Sequence, residues 1–471
     1  MALFPNETAA LAQGALQTLQ DRLQGTVILP GDVDYDAARM AWNLAFEQYP
    51  PVIVMAETAD DVAAAVRFAR AEGMDIAVQA TGHGFTRAAN HALLINMSRM
   101  THVEVDAEAQ TAWVEGGAKW QPVLDKAQAV GLVPLLGSTP DVGAVGYTLG
   151  GGVGWLARKY GLSADSVNAF EVVTAQGRIV WASEYENSDL FWALRGGGGS
   201  FGVITGMEIR LYPVTTVYAG NLYYPAAMAK EVMTRFREWI ATTPEELTSS
   251  VVLMNYPPIP EVPEPLRGQS FVQVRGAYTG LMEDGEELLK YWREWKAPAM
   301  DMFGPLPLTR AAEISNDPPN PTSALVTGVW LKDLSDEAID TIIRFGLAPH
   351  GVTVSEIRHV GDGAISRVDK RANAYGNREA SLVLEIIGIA PTPELWQAAD
   401  AYAREYKRAL AGSLTGGVYI NFLEGDERQD RTKDAFTAEN YQRLMAIKAK
   451  YDPQNVFSHS FHIPPAADDH A

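Results

Sequence analysis

The chain has 471 residues, which is too long for one hydrophobic core, so two domains are expected. Its 58 acidic side chains outnumber the 38 basic ones and give a formal net charge of −20, and a surface this acidic repels nucleic acid and anionic lipid. Cysteine is absent, which excludes disulfides, thiolate metal sites and a cysteine nucleophile.

The first residues of the chain have neither the basic region nor the continuous apolar region of a secretory signal. No apolar run reaches the about 18 residues that a membrane-spanning helix needs. We therefore expect a cytoplasmic protein that is a monomer or a homodimer. We expect no membrane partner, no nucleic acid partner and no metal site.

The first clear helix signal begins at Thr58. This residue is a favoured N-cap, two aspartates occupy the first turn, and Gly73 ends the apolar period. Strands and one further helix are predicted from there to Pro213. In chain order these segments are the strands DIAVQA, LLINM and TAWVEGG, the helix WQPVLDKAQAVG, and a strand from Val203 to Leu211.

After Pro213 the pattern changes to strand-like runs that alternate with long amphipathic helices, which is typical of one sheet covered by helices. The predicted strands are SSVVLM, SFVQVRGAY, ALVTGVWL, TVSEIRHV, ASLVLEIIGIA and GGVYINFL. The predicted helices are AAMAKEVMTRFREWI and TPELWQAADAYAREYKRAL, with ENYQRLMAIKAKY near the end of the chain.

Glycine is concentrated in three clusters, which are QATGHGF, GAVGYTLGGGVGW and RGGGGSFGVIT. Such loops let backbone N–H groups converge on an anionic pyrophosphate. One cluster alone would indicate a turn, but three near strands predict a large phosphate-bearing cofactor. None has the strand–glycine–helix order and later acidic residue of a Rossmann fingerprint, so a nicotinamide enzyme is disfavoured.

These motifs also occur in a recognisable order: TADDVAAAVRFA, DIAVQA, TGHG, GYTLGGGVGWLARKYGLSADSV, DLFWALRGGGGSFGVIT and YDPQNVF. The chain resembles the berberine-bridge-enzyme-like oxidoreductases of the vanillyl-alcohol oxidase superfamily, and its length is similar to that of the smaller bacterial members. The resemblance implies an α+β fold with a PCMH-type FAD-binding domain in residues 1–212. It implies a substrate domain in residues 213–414, built on an antiparallel sheet covered by helices, and a segment 415–471 that returns to the FAD domain.

His83 is unusual because it stands between Gly82 and Gly84 in the first cluster. In the family the equivalent histidine is bonded to the 8α-methyl group of FAD, so the resemblance implies a covalent link at His83. Many members add a second link from a cysteine, and Thr139 takes its place here. Since the chain has no cysteine, the attachment can only be single.

By the same resemblance, Val142 lies next to flavin C4a, where a valine goes with oxidase behaviour and a leucine with dehydrogenase behaviour. Asn421 is implied to hydrogen-bond the edge of the flavin ring. The further cofactor contacts expected from the glycine clusters are Thr81, Gly82, Gly84, Gly143, Gly146, Gly151, Gly152, Gly202 and Val203.

The family carries a Tyr-x-Asn-Tyr motif on a strand near the C-terminus, and here the motif is YINF. Tyr419 and Asn421 match it, but the final tyrosine, a base in several members, is Phe422, which cannot accept a proton. Other candidates are Glu385, whose carboxylate in an apolar strand would have a raised pKa, and Arg358, Glu356 and Tyr375. Alternatively, Glu385 faces solvent or pairs with an arginine.

We therefore expect an FAD-dependent oxidase that transfers hydride from a small organic substrate to flavin N5 and reduces O2 to H2O2. The alternatives are a dehydrogenase with another acceptor, an oxidative-cyclisation or tailoring enzyme of secondary metabolism, and a catalytically silent flavin-binding protein. The sequence does not indicate the substrate.

Overall fold

The computed structural model describes residues 13–84, 87–348 and 352–467. Two features named above lie outside these ranges. One is the start of the chain, residues 1–12, for which the sequence predicts no secretory signal. The other is Phe85 at the end of the first glycine cluster.

Helices occur along the whole described chain, and most of the long ones are amphipathic. In chain order they are α1 (Gln13–Gln20), α2 (Tyr35–Arg39), α3 (Ala59–Ala71), α4 (Trp120–Gln128), α5 (Ala144–Leu149), α6 (Ala157–Tyr160), α7 (Ser188–Leu194), α8 (Ala229–Ile240), α9 (Met282–Arg293), α10 (Ala312–Ser315), α11 (Asp336–Gly346), α12 (Ala364–Arg367), α13 (Pro393–Ala409), α14 (Glu427–Asp430) and α15 (Ala438–Tyr451). Single 3-10 turns occupy Ser163–Ser166, Ala226–Met228, Leu308–Arg310, Ala411–Ser413, Ile420–Phe422 and Thr432–Ala435.

The first sheet has four strands in the order β1-β2-β4-β3, with β2, β4 and β3 parallel and β1 antiparallel to β2. Its strands are β1 (Thr26–Ile28), β2 (Val52–Met55), β3 (Asp75–Gln79) and β4 (Ala92–Asn96). The helix predicted after Thr58 is confirmed as α3, which Thr58 and Asp61 cap reciprocally. The first glycine cluster leaves the sheet at the end of β3.

The second sheet has five antiparallel strands in the order β5-β6-β9-β7-β8. Its strands are β5 (Val103–Asp106), β6 (Thr111–Glu115), β7 (Val167–Val173), β8 (Ile179–Ser183) and β9 (Val203–Arg210). The other two glycine clusters lie in the connections that enter β7 and β9. All the strands and both helices predicted before Pro213 are therefore confirmed.

The third sheet has eight antiparallel strands, with β13-β10-β12-β11-β16-β17-β15 in sequence and β14 also paired with β10. Its strands are β10 (Thr216–Pro225), β11 (Leu247–Asn255), β12 (Ser270–Tyr278), β13 (Met300–Asp301), β14 (Gly304–Pro307), β15 (Ala324–Leu331), β16 (Val354–His359) and β17 (Leu382–Ile389). One face, with Val251, Val274 and Leu384, packs in a single core with residues of α8, α11 and α13. The expected antiparallel sheet covered by helices is confirmed.

The other face of this large sheet is polar although it is buried. Alternate residues of β12 and β16 place Gln273, Arg275, Glu356 and Arg358 on it, and all four are less than 9% exposed. Because these charged side chains are buried, each needs a partner of opposite charge or a hydrogen bond. The candidate site described below includes this polar face.

One predicted strand is wrong. The segment GGVYINFL forms no ladder with a named strand, and Ile420–Phe422 is a 3-10 turn in which the amide of Phe422 donates to the carbonyl of Tyr419, 2.9 Å away. Its backbone bonds are local or go to a neighbouring loop, since the amide of Leu423 donates to Ile420 and that of Val418 donates to Asp434, at 3.2 Å in both cases.

The α+β fold class with its FAD-domain and helix-covered sheets agrees with the structure. The boundaries at residues 212 and 414 remain a prediction. No helix in the described ranges is long and apolar enough to cross a bilayer.

Candidate active site

The loop after β3 carries His83 in a backbone shape that depends on glycine. Gly82 has φ +78°, and a methyl group there would lie 2.6 Å from Cβ of Ala41. The loop is fastened before His83 by two backbone bonds, since the amides of Trp42 and Asn43 donate to the carbonyls of Thr81 and Gly82 at 2.9 and 3.3 Å. The imidazole therefore has a defined position.

The imidazole of His83 stacks on Trp42 with ring centroids 4.2 Å apart. Its Nδ1 lies 2.8 Å from Oγ1 of Thr81, and its Nε2 is buried with no hydrogen-bond partner among the described residues. Burial lowers the pKa of His83 to about 4, and the charges of Asp141 and Lys119 act in opposite directions. His83 is therefore a neutral imidazole at pH 7, and one of its ring nitrogens is without a hydrogen bond to any described residue.

A cleft of about 440 Å3 lies next to this loop and is lined by Trp42, Thr81, Ser98 and Lys119, among others. Thr81 and Ser98 follow the parallel strands β3 and β4, so the cleft opens at the carboxyl edge of the first sheet, where cofactors bind in open sheets. Lys119 supplies a positive charge there and is paired with Asp141 at 2.6 Å.

The second glycine cluster divides into two parts. A methyl group at Gly143 would lie 3.4 Å from Oγ1 of Thr81, and one at Gly146 would meet nothing within 4 Å, so this half faces the His83 loop and open space. Gly151 and Gly152 have φ +110° and +79°. A methyl group at Gly151 would lie within 2.6 Å of ring atoms of Tyr375, and one at Gly152 would lie within 2.6 Å of a ring atom of Tyr147. The second half is therefore packed against tyrosines.

The third cluster is packed inside the protein. The amides of Gly196 and Gly198 both donate to the carbonyl of Leu149, at 3.0 and 2.9 Å. A methyl group at Gly202 would lie 2.6 Å from Val172, and Val203 is 1% exposed in the first residue of β9. The structure does not bring Gly202 and Val203 to the His83 cleft, and their role in binding a cofactor remains a prediction.

Tyr419 and Asn421 meet the second cluster directly. The hydroxyl of Tyr419 accepts from the amides of Gly152 and Val153 at 3.2 and 3.1 Å and from Nδ2 of Asn421 at 3.0 Å. Nδ2 of Asn421 also donates to the carbonyl of Tyr147 at 3.0 Å. Burial raises the pKa of Tyr419 to about 12, so its hydroxyl stays protonated and holds the glycine segment in place.

Residues 138–142 connect the His83 region to the polar face of the large sheet. The carbonyls of Pro140 and Val142 accept from the first amides of α4, at 2.8 and 3.0 Å. At the other end, Nη2 of Arg358 donates to Oγ of Ser138 at 2.9 Å. Thr139 hydrogen-bonds Asp317, a residue of the loop before β15. Thr139 and Val142 thus lie between the histidine loop and the sheet.

Charges on the polar face are arranged around Glu356. Arg358 contacts it at 2.8 Å and Arg275 at 3.4 Å, and Arg275 also donates to Asn221 and Gln273. Burial opposes ionisation of Glu356, but the two guanidinium groups outweigh it, so its pKa is lowered. Glu356 is therefore ionised and held, which leaves it unsuited to accept a proton.

Glu385 differs from Glu356, its cross-strand neighbour on β17. It is half-buried, and within the described residues its carboxylate has no ion pair or hydrogen bond. Burial and the charge of Glu356 raise its pKa to about 8, against a smaller opposing effect of Arg358. The raised pKa agrees with the expectation from the sequence, and it distinguishes Glu385 from the ionised Glu356. A catalytic role of Glu385 remains a prediction.

The sequence analysis missed several residues of this site. Arg275 and Gln273 in SFVQVRGAY are spaced by two, as are Glu356 and Arg358 in SEIRHV, and this spacing in buried strands could have indicated a shared polar face. Trp42, which stacks on His83, lies in a segment with no motif. Asp317 lies in a proline-rich loop, and nothing in the sequence predicts its contact with Thr139.

The residues fit a bound FAD in three respects. Gly84 and Gly146 have nothing within 4 Å of the position where a side chain would begin, so the two loops present bare backbone. Nε2 of His83 is buried and unpaired within the described chain. Lys119, which is paired with Asp141, lines the cleft and brings a positive charge near the position of a diphosphate.

Comparison with known proteins supports this interpretation. Residues 50–183 match the family described as FAD binding domain, and residues 418–464 match the family described as berberine and berberine-like. The chain is 28% identical to an uncharacterized FAD-linked oxidoreductase of Bacillus subtilis (strain 168), covering 94% of this chain and 98% of that one. It is 27% identical to (R)-6-hydroxynicotine oxidase of Paenarthrobacter nicotinovorans, covering 94% and 97%.

Among solved structures, 6-hydroxy-D-nicotine oxidase from Arthrobacter nicotinovorans superposes with a TM-score of 0.83 at 25% identity, covering 94% of this chain and 98% of that one. The fold and these similarities thus define a flavin-dependent oxidoreductase. Along almost its whole length the chain is similar to FAD-linked oxidoreductases, and its C-terminal segment matches the berberine-like family, in agreement with the resemblance drawn from its motifs.

The hydrogen bonds of Tyr419 lead to a test with a matched control. Tyr419→Phe removes the acceptor of two buried amides, so we expect the free energy of unfolding to fall by about 1–3 kcal/mol. Tyr375→Phe removes a buried hydroxyl that has no partner in the described residues, so its effect should be close to zero. Chemical denaturation of both variants measures this, and equal losses would contradict the assignment.

Proposed function

We propose that this protein is an FAD-dependent oxidase that carries FAD on a single covalent bond to His83 and oxidises a small organic molecule. When bound, FAD accepts a hydride from the substrate at N5 and passes two electrons to O2, which gives H2O2. The observation that carries the proposal is the neutral, half-buried imidazole of His83, whose Nε2 has no hydrogen-bond partner among the described residues and whose loop borders the cleft at Thr81. Such a group is nucleophilic at neutral pH.

A single bond is favoured over a double one because the chain contains no cysteine. Thr139, in the place of the second attachment, hydrogen-bonds Asp317 and is no substitute for a thiolate. The flavin would then be fixed at one edge by His83, while the backbone of Gly143, Gly146 and Gly84 approaches the remainder.

We propose that the polar face of the large sheet forms the roof of the flavin and binds substrate, with residues 213–414 as the substrate domain. Glu385 acts there as the general base, because it is unpaired and has a pKa near the working range. Arg358 holds Glu356 and Ser138 in place. Tyr419 positions the glycine segment, and Phe422 packs on Gly328, the cross-strand neighbour of Glu385.

Oxidase activity is favoured over dehydrogenase activity by Val142, a small residue at the proposed oxygen position. A relative with 27% identity is named as an oxidase, (R)-6-hydroxynicotine oxidase. A tailoring enzyme that forms a ring would use the same groups, but no feature of the described residues favours it. Product analysis would separate the two.

The tether is tested by acid precipitation of the purified protein. We expect wild-type protein to keep its yellow flavin in the pellet and His83→Ala to release it into the supernatant. His102→Ala, which changes a histidine that is largely exposed, is the control and should behave like wild type. Release of flavin from the wild type as freely as from His83→Ala would end the proposal of a covalent bond.

The pH dependence of flavin reduction tests Glu385. The base must be ionised, and its pKa is about 8, so the rate should rise with pH below that value and level off above it. Glu385→Gln should remove this rise and slow reduction by roughly 10²–10⁴-fold. The measurement is anaerobic stopped-flow with a substrate, found in a panel of alcohols, sugars and amines, that does not itself titrate there.

The exposed Glu379→Gln is the control for this experiment, and it should leave the profile unchanged. A rise with pH that persists in Glu385→Gln would assign the titration to another group.

Reaction with oxygen is measured after photoreduction of the flavin. We expect reoxidation of the wild type to be fast and to yield H2O2 in equal amount to the flavin. Val142→Leu should slow it, because the larger side chain fills the space that oxygen would use. Slow reoxidation of the wild type, over minutes or longer, would instead identify a dehydrogenase.

A further inference from the structure

A buried arginine of the C-terminal segment contacts the histidine loop. Arg428 is the second residue of α14 and is 3% exposed. Its Nε donates to the carbonyl of Leu423 at 2.6 Å, and its Nη1 donates to the carbonyl of Gly84 at 3.1 Å. Gly84 immediately follows His83, so this guanidinium bridges two parts of the chain that are 344 positions apart.

The environment of Arg428 is unusual for a buried cation. In the described residues no carboxylate lies within ion-pair distance of it, its hydrogen bonds go to carbonyl oxygens, and its Cζ lies 5.5 Å from the ring centroid of Phe461. The acid that influences it is Glu424, whose own carboxylate accepts from the amides of Gly425 and Val326 on β15. A chain of buried polar groups therefore runs from the large sheet through Glu424 and Arg428 to Gly84.

Arg428 is not needed to attach its own segment to the sheet. The neighbouring Glu427 pairs with Lys407 of α13 at 2.8 Å and accepts from Thr327 of β15 at 2.8 Å. These contacts fasten α14 to the sheet without involving the histidine loop. The bond from Arg428 to Gly84 is thus separate from the anchoring of the segment.

The hydrogen bond from Arg428 to Gly84 lies on the opposite side of His83 from the other bonds that hold the loop. Before His83, the loop is held by the amides of Trp42 and Asn43, which bond to Thr81 and Gly82. After His83, Gly84 is exposed, and no described atom lies within 4 Å of the position where its Cβ would be. Among the described residues, the hydrogen bond that holds this side of the loop is the one from Arg428 to the carbonyl of Gly84.

We propose that Arg428 is a positioning residue for flavin attachment: by holding the carbonyl of Gly84, it fixes the loop on the far side of His83 and keeps the imidazole aligned with the flavin. The C-terminal segment thereby controls the geometry of a residue near the start of the chain. The consequence for attachment rests on the proposed function, whereas the consequence for the loop does not.

Two variants and one control test this proposal. Arg428→Met keeps the apolar stem and removes every donor, and Arg428→Lys keeps the charge and can reach one carbonyl at a time. Lys407→Met is the matched control, because it removes a buried cation that holds the same segment but does not touch the loop.

The first measurement is made on protein that cannot form the covalent bond. Each substitution is made in the His83→Ala background with saturating FAD, and hydrogen exchange is followed in peptides that cover residues 80–84. We expect Arg428→Met to raise exchange there about tenfold, Arg428→Lys to lie between it and the parent, and Lys407→Met to leave the loop unchanged even where it lowers the melting temperature.

The second measurement uses the chain with His83 intact. We expect Arg428→Met to bind as much total FAD as the wild type but to retain a smaller fraction of it after acid precipitation, with partial recovery in Arg428→Lys and wild-type retention in Lys407→Met. Unchanged loop exchange in Arg428→Met, or equal loosening by Lys407→Met, would overturn the proposal. If the wild type retains no flavin, the tether is refuted, and the exchange result still decides the role of Arg428.

Discussion

The structure depends on the neutralisation of charge on the inner face of the large sheet. Arg275, Glu356 and Arg358 are buried between this sheet and the glycine segments, and a carboxylate held by two guanidinium groups is tolerated there where a lone charge is not. Loss of one member of such a group leaves an uncompensated charge and costs about 3–5 kcal/mol. This balance allows one face of the sheet to be polar and buried while the opposite face packs against helices.

Glu385 acquires its character from this arrangement. Because both guanidinium groups are engaged by Glu356 and by nearby amide and hydroxyl oxygens, Glu385 is left without a partner on the same face. Glu356, which the two guanidinium groups hold, stays ionised, whereas burial raises the pKa of Glu385. Two neighbouring acids of the same type thus have different chemistry because of their surroundings.

Much of the fold followed from local signals. The cap at Thr58 was sufficient to predict α3, and the period of two was sufficient to predict β12, β16 and β17, because capping and alternation are local properties. The segment YINF was predicted as a strand and is a turn, because its conformation is set by the hydroxyl of Tyr419 binding the distant Gly152 amide. The contacts of Trp42 and Asp317 could not be predicted either, since they are made between loops whose approach depends on the packing of all three sheets.

The contact between Tyr419 and the glycine segment spans 267 positions, and it bears on how the protein matures. The amides of Gly152 and Val153 obtain their acceptor after nearly the whole chain has left the ribosome, so this part of the second glycine cluster is fixed late in biosynthesis. A nascent chain that has already formed its first two sheets would still lack these bonds. Premature termination before Tyr419 would therefore leave two buried amides of a largely synthesised protein without their acceptor.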